Sequence, residues 1–115
     1  MGGYLKEVNI KEDLPTVGDA VRRITFHLRS GKELGAGAVK IIHGYGSTGT
    51  GGKIRGRARQ YLAEQKKNGQ IRDFIPGESF SIFHEGTRAA FARCPALRED
   101  RDLERHNNGM TIVVL

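Results

Sequence analysis

The sequence predicts an α/β fold in which strand-like runs alternate with helical patterns and both main helices cover one face of a sheet. Short apolar runs lie at residues 4–10, 38–42, 71–75 and 110–115, and helical periodicity lies between the first three. Connections of about a dozen residues or more favour parallel strands with right-handed crossovers. A length of 115 residues suits one domain with one core.

The first strand and first helix follow from local patterns. Apolar and polar residues alternate from Tyr4 to Ile10, as in a half-buried strand. Thr16 stands three residues before Asp19, which is close to a helix-capping pattern, and Gly31 is a natural helix stop. The apolar positions that share one face of this helix are Val17, Ala20, Val21, Ile24 and Leu28.

The second strand, at residues 38–42, is β-branched and runs into a loop at 43–52 that contains five glycines. A second helix follows from Lys53-Ile54 and is expected to end at Asn68-Gly69. A third strand is predicted at 71–75, before Pro76-Gly77 forces a turn.

The last third of the chain is predicted to contain shorter and less regular elements. Residues 79–83 are expected to form a fourth short strand, and residues 87–93 a helix that ends before Pro95. Residues 97–106 are nearly all charged, which predicts a solvated helix or a mobile loop. Residues 110–115 predict a strand that is buried on both faces.

Composition excludes several classes of protein. Nineteen basic against thirteen acidic residues give a net charge of +6, which favours anionic partners. The single cysteine, Cys94, excludes an internal disulfide and a cysteine-based zinc framework. No apolar run approaches the roughly 18 residues that span a bilayer, and charge within the first seven residues argues against a secretory leader. We therefore expect a soluble cytoplasmic protein without a membrane partner.

The glycine-rich loop is the candidate anion site. Glycines between a strand and a helix bring backbone N–H groups close to an anion, and the helix N-terminus adds positive charge. Gly44, Gly46 and Gly49 spell a dinucleotide fingerprint, but the acidic residue that closes the next strand is missing. Lys53 is followed by Ile54 rather than by Ser or Thr, so the Walker A pattern fails too. No small-molecule cofactor is expected, and a merely flexible connection is the alternative.

Basic residues concentrate just behind this loop. The window 47–72 holds seven basic residues against Glu64 alone. The net charge of this window, +6, equals that of the whole chain. Such a row suits a polyphosphate backbone, DNA or RNA, better than one small ligand, although a solvated face would look the same. The predicted phosphate-binding residues are Gly44, Tyr45, Gly46, Ser47, Thr48, Gly49, Gly51, Gly52, Lys53, Arg55, Arg57 and Arg59.

His43 ends the central strand, where α/β sheets place their ligands. A histidine there can hydrogen-bond a phosphate or transfer a proton, or it can be a structural hydrogen-bond partner. Both interpretations stay open at this point.

Together the run Ile-Ile-His-Gly-Tyr-Gly at 41–46, a helix opening at Lys53, and Asn-Gly-Met-Thr-Ile-Val-Val-Leu at 108–115 resemble the small MutS-related (Smr) domain. The resemblance covers about residues 5–76 and 107–115. It implies a two-layer α/β sandwich with a mixed sheet of four to five strands, similar to the C-terminal domain of translation initiation factor three. On this basis residues 1–115 form a single Smr-like domain with an insertion at about 77–106. It also implies nucleic-acid binding, with nicking or endonuclease activity in several members.

The first family motif is degenerate. Val8-Asn9-Ile10-Lys11-Glu12 stands where Leu-Asp-Leu-His-Gly is expected, so the aspartate becomes Asn9 and the histidine-glycine pair is missing. Glu12 or Asp13 could substitute as metal ligands, or could simply be solvated charges near a helix start. No cofactor is certain, and Mg²⁺ or Mn²⁺ is expected only if the domain is a nuclease with His43 as its catalytic residue.

Three functions therefore compete. The leading prediction is a module that binds DNA or RNA through the loop and the basic second helix, and the second is metal-dependent phosphodiester cleavage. The third is a protein-interaction module that uses the insertion, whose Phe80, Phe83 and Phe91 form either a docking surface or part of the core.

Overall fold

A computed structural model describes residues 3–13, 16–44 and 51–115 of the chain. It contains four strands and three α-helices in those ranges. The strands are β1 (Tyr4–Asn9), β2 (Ala36–Ile42), β3 (Asp73–Pro76) and β4 (Met110–Val114). The helices are α1 (Val17–Glu33), α2 (Gly51–Lys67) and α3 (Glu85–Arg93), and two 3-10 helices lie at Gly77–Ser79 and Pro95–Glu99.

The four strands form one mixed sheet in the order β1-β2-β4-β3. β1 is parallel to β2, with Asn9 opposite Ile42, as the predicted crossover requires. β4 lies antiparallel between β2 and β3, so that Thr111 pairs with Ile41 on one side and with Pro76 on the other. The predicted α/β class and mixed four-stranded sheet are confirmed. The likeness to the translation factor domain stays a prediction.

Helices α1 and α2 cover one face of the sheet, as predicted. Oγ1 of Thr16 accepts a hydrogen bond from the backbone N–H of Asp19 at 3.1 Å, which confirms the predicted N-cap of α1. Ile24 and Leu28 of α1 and Leu62 of α2 belong to one buried cluster with apolar residues of β1, β2 and β4 that lie on this face of the sheet. This apolar contact holds both helices against the same face of the sheet.

Residues 77–106 form a layer on the opposite face. Phe80, Phe91, Cys94 and Leu97 pack in a second buried cluster with residues of β2 and β4. A Cβ on Gly37 would lie 2.1 Å from the carbonyl oxygen of Arg93, so the end of α3 sits directly against β2. The predicted insertion therefore provides the second half of the core.

The predicted strand at 79–83 is wrong. The 3-10 helix Gly77–Ser79 and a set of turns occupy this stretch. The backbone N–H of Ile82 and the hydroxyl of Ser81 donate to the carboxylate of Glu104, at 2.7 and 2.5 Å, rather than to a neighbouring strand. Two of the three phenylalanines predicted as a docking surface, Phe80 and Phe91, are in the core, whereas Phe83 is 85% exposed.

The charged stretch 97–106, predicted as a solvated helix or a mobile loop, consists of the end of a short 3-10 helix followed by turns. These turns are held by Lys40, a fully buried lysine on β2. Its Nζ lies 2.8 Å from Asp100, 2.6 Å from Asp102 and 3.6 Å from Glu7. Although burial lowers the pKa of Lys40, the hydrogen bonds that it donates to the carboxylates of Asp100 and Asp102 raise it on balance, so the lysine is charged.

None of the helices in the described part of the chain is both long enough and apolar enough to span a membrane.

Candidate nucleic-acid interface

The edge at which β1 and β2 end carries the described part of the predicted site. His43 and Gly44 directly follow β2, and their backbone N–H groups both donate to the carbonyl oxygen of Gly109, at 3.0 and 2.9 Å. Gly44 adopts φ +83°, a left-handed conformation that favours glycine. A Cβ there would also contact Cδ of Lys11 at 3.4 Å. Glycine thus lets the chain turn away from β2 close beside Lys11.

His43 is buried in this turn, with 1% of its surface exposed. Its Nδ1 lies 3.0 Å from the carbonyl oxygen of Gly44, and its Nε2 lies 2.8 Å from Oγ1 of Thr111. Burial lowers the pKa of His43 to about 4, against the hydrogen bond to Gly44 and with the help of Arg59 and Arg55. The ring is therefore neutral at pH 7. Because a carbonyl only accepts, Nδ1 carries the proton and Nε2 accepts from the hydroxyl of Thr111.

Arg59 of α2 extends this hydrogen-bond chain to a carboxylate. Its Nε donates to Oγ1 of Thr111 at 3.4 Å, and its guanidinium pairs with both oxygens of Glu78 at 2.7 and 2.8 Å. It also donates to the carbonyl oxygen of Asn108 at 3.4 Å. Although burial raises the pKa of Glu78, the hydrogen bonds from Arg59 lower it on balance. Arg59 thus ties α2 to β4 and to the 107–109 turn, and Glu78 offsets its charge.

Three cations nevertheless converge on the turn at Gly44. Lys11 lies just after β1, and its Cδ is 3.4 Å from the position that a Cβ on Gly44 would occupy. Arg55 lies near enough to lower the pKa of both His43 and Glu78. Arg59 is the third cation. The carboxylate of Glu78, which pairs with Arg59, is the acidic group that lies among these cations. The first turn of α2 contains no acidic residue, so the positive end of the helix dipole is not compensated within it.

Farther along α2 the predicted basic row is largely paired with acids. Arg57 lies 3.3 Å from Glu64, and Lys66 lies 3.0 Å from Asp73. Lys53, in the first turn of the helix, is exposed. Two cations of the predicted row, Arg57 and Lys66, are therefore partly neutralised, whereas Lys53 is exposed at the start of the helix.

Much of the predicted phosphate-binding loop lies outside the described residues. The predicted residues in that position are Tyr45, Gly46, Ser47, Thr48 and Gly49. The backbone of Gly51 and Gly52 forms the start of α2, two residues before the predicted opening at Lys53.

The proposed metal ligands do not form a cluster with other donors. Glu12 and Asp13 are exposed in the turn after β1, where the carbonyl oxygen of Glu12 accepts from Nη1 of Arg23 at 2.7 Å. Within residues 3–13, 16–44 and 51–115, no group of three or more His, Cys, Asp or Glu side chains could hold a metal ion.

Sequence reasoning missed two features around His43, its hydrogen bond to Thr111 and the pairing of Arg59 with Glu78. Thr111 is a fully buried polar residue in an otherwise apolar strand, and that pattern was a usable signal for a hydrogen-bond partner. The pairing of Arg59 with Glu78 had no comparable signal, because 19 residues separate them in the chain.

The fold matches a solved structure. The Smr domain of Thermus thermophilus MutS2 superposes with a TM-score of 0.59 and 20% sequence identity, over 96% of this chain and 96% of that domain. This chain has the Smr fold. No protein-family model matches its sequence, and no curated protein matches it in sequence. Within this fold, Lys11 and His43 stand at adjacent strand ends, where the two family motifs were expected from sequence.

Proposed function

We propose that this Smr-fold domain binds DNA or RNA through the phosphate backbone, at the edge formed by the ends of β1 and β2 and the start of α2. The observation that carries the proposal is the convergence of Lys11, Arg55 and Arg59 on the turn at Gly44, with Glu78 as their acidic counterpart. Cations arranged this way attract a polyanion and release its counterions. The proposed contact set includes the predicted loop residues and, on α2, Lys53, Arg55, Arg57 and Arg59.

The contributions of these cations differ. Lys11 and Lys53 are exposed and stand next to the turn and the helix start, so we assign them direct phosphate contacts. Arg59 is held by Glu78 and Thr111, and Arg57 by Glu64. We assign these two arginines a smaller contribution, since a phosphate must compete with a carboxylate for each of them.

His43 acts in this proposal as a positioning residue. It is neutral, buried and hydrogen-bonded at both ring nitrogens, so it holds the Gly44 turn against β4. Cleavage with His43 as the catalytic residue stays a prediction from the resemblance. A ring with a pKa of about 4 is a neutral imidazole at pH 7 rather than an imidazolium. A general-acid role would therefore require a phosphate to raise that pKa.

Fluorescence anisotropy with labelled single-stranded and duplex oligonucleotides tests the binding proposal. The logarithm of affinity should fall with the logarithm of salt concentration, with a slope of several units. Lys11→Glu combined with Arg55→Glu should weaken binding at least tenfold and reduce that slope by about two. Arg29→Glu is the matched control, because Arg29 is an exposed cation in the second half of α1. A flat salt response in the wild-type protein would contradict the proposal.

Supercoiled plasmid and structured RNA, incubated with the protein and Mg²⁺ or Mn²⁺, separate binding from cleavage. Nicked product that disappears in both His43→Gln and His43→Ala would support the enzymatic alternative. Product that persists unchanged in both variants would come from a contaminant. Circular dichroism of each variant shows whether the fold is retained.

A further inference from the structure

A second basic surface lies in the layer formed by residues 77–106. Arg101, Arg105 and His106, with Asp102 and Asn107, line an open cleft of about 450 Å³. The stretch that contains them is nearly balanced in charge, so the sequence did not single it out. The structure separates its charges by direction.

Three of the four acids of this stretch bind groups within the fold, and the fourth, Glu99, is exposed. Oδ2 of Asp102 binds Nζ of Lys40 at 2.6 Å, while its Oδ1 accepts from Asn107 at 3.1 Å. Both oxygens of Glu104 accept hydrogen bonds from the 81–82 turn. Asp100 binds Lys40 through both of its oxygens. These three carboxylates are therefore engaged within the fold, whereas Arg101 and Arg105 are exposed beside them.

This cleft adjoins the proposed interface. Nδ1 of His106 lies 3.2 Å from the carbonyl oxygen of Glu78, the residue that pairs with Arg59. Three residues later, Gly109 accepts the hydrogen bonds from His43 and Gly44. The three residues from His106 to Gly109 span at most about 11 Å. About three nucleotides cover that distance at a rise of roughly 3.4 Å per nucleotide along one strand. One strand of nucleic acid can therefore reach both sites.

An exposed aromatic ring follows the 81–82 turn, which binds Glu104, the sequence neighbour of the cleft residue Arg105. Phe83 is 85% exposed, yet its loop is firmly held. The preceding residue, Ile82, donates its N–H to Glu104 and accepts from Nη1 of Arg88 at 2.8 Å, while the N–H of Phe83 donates to Oγ of Ser81 at 3.1 Å. A rigid loop that keeps a phenylalanine in water, on the same layer as the exposed cations Arg101 and Arg105, matches the combination of stacking platform and basic groove that binds unpaired nucleotides.

We propose that the turns at 101–107 and the loop at Phe83 form a second contact surface for single-stranded nucleic acid. Arg101 and Arg105 bind phosphates, and Phe83 stacks on a base. This inference rests on the proposed function, because it extends the same strand across the edge of the sheet onto the second layer. It also names the ligand class as unpaired rather than duplex.

Labelled oligothymidylate, oligouridylate and a blunt duplex of equal length are the probes. Arg101→Glu with Arg105→Glu should weaken binding of the single strands at least tenfold and lower the salt slope by about two. Phe83→Ala should weaken single-strand binding about 5- to 100-fold and change duplex binding less. Arg29→Glu should leave all three affinities within about twofold of wild type. Thermal melting verifies that each variant is folded.

The outcomes distinguish this inference from the proposed function. Unchanged affinities in the Arg101/Arg105 pair and in Phe83→Ala, together with loss in Lys11→Glu/Arg55→Glu, would overturn the second surface and leave the first. Failure of the wild-type protein to bind any probe in a salt-dependent way would overturn both. Light scattering that shows self-association abolished by Phe83→Ala, with nucleic-acid affinity unchanged, would assign this surface to a protein partner and overturn the inference.

Discussion

Helix α2 and the turns at 98–106 differ in how the fold uses their charged side chains. Residues 51–67 contain six basic residues and one acid, whereas residues 98–106 contain three arginines and four acids. In the fold, acids from α2 and from β3 and its following turn engage Arg57, Arg59 and Lys66. Three of the four acids of the turns, Asp100, Asp102 and Glu104, bind other parts of the fold instead, whereas Glu99 is exposed. A count of charges along the chain therefore predicts the outward charge of a surface poorly when long-range pairs form.

The difference has one main cause, the buried lysine of β2. A charged group that is removed from water requires partners, and Lys40 obtains them from Asp100 and Asp102. This requirement orients the turns so that their carboxylates point inward. Arg101 and Arg105 are then left at the surface.

The largest expected effect comes from Lys40→Met. Removal of the cation leaves two largely buried carboxylates unpaired, so we expect a loss of about 3–5 kcal/mol in the free energy of unfolding. Urea denaturation measures it. Arg57→Met is the matched control, because it breaks an exposed pair and should cost less than about 1 kcal/mol. Adding Asp100→Asn and Asp102→Asn to Lys40→Met should recover part of the loss. Equal stability of Lys40→Met and wild type would refute the proposed cause.

A smaller effect is expected from His43 as the pH is lowered. Its pKa is about 4 in the fold and about 6.5 in an unfolded chain, so the unfolded state binds more protons between these values. Stability from this group is complete above pH 6.5 and falls as the pH decreases, by about 3 kcal/mol at pH 4.

The measurement is the difference between wild type and His43→Gln in unfolding free energy at pH 7 and pH 4. Subtraction is needed because burial also lowers the pKa of His27, which adds loss of the same sign. A difference that does not change with pH would show that His43 is not buried as a neutral ring.

The smallest expected effect is on the affinity for nucleic acid when the carboxylate of Glu78 is removed. Glu78→Gln removes the carboxylate beside Arg59, Arg55 and His43, so the affinity for nucleic acid should rise and the salt slope should steepen by about one. Glu64→Gln, which releases Arg57 farther along α2, is the control and should have a smaller effect. Anisotropy titrations at several salt concentrations measure both. Lower affinity in Glu78→Gln would mean that this carboxylate orders the site rather than opposing the ligand.

Much of the fold was predictable because its signals are local. The alternation in β1, the Thr16 cap of α1 and the apolar run of β4 each lie within a few residues, and each is confirmed. The predicted strand at 79–83 failed because Glu104, more than 20 residues away, binds its backbone. At the site, His43 and Gly44 were recognisable from the end of a strand, but the neutrality of the ring depends on burial by the whole fold.

The position of β4 within the sheet has a consequence for how the chain matures. The strand that separates β2 from β3 is the last one in the sequence, and it pairs with both. Until a ribosome has released residues 110–114, β2 has one bare edge and β3 has no neighbour in the sheet. Completion of the sheet, and with it formation of the turn that holds His43, therefore cannot precede synthesis of β4.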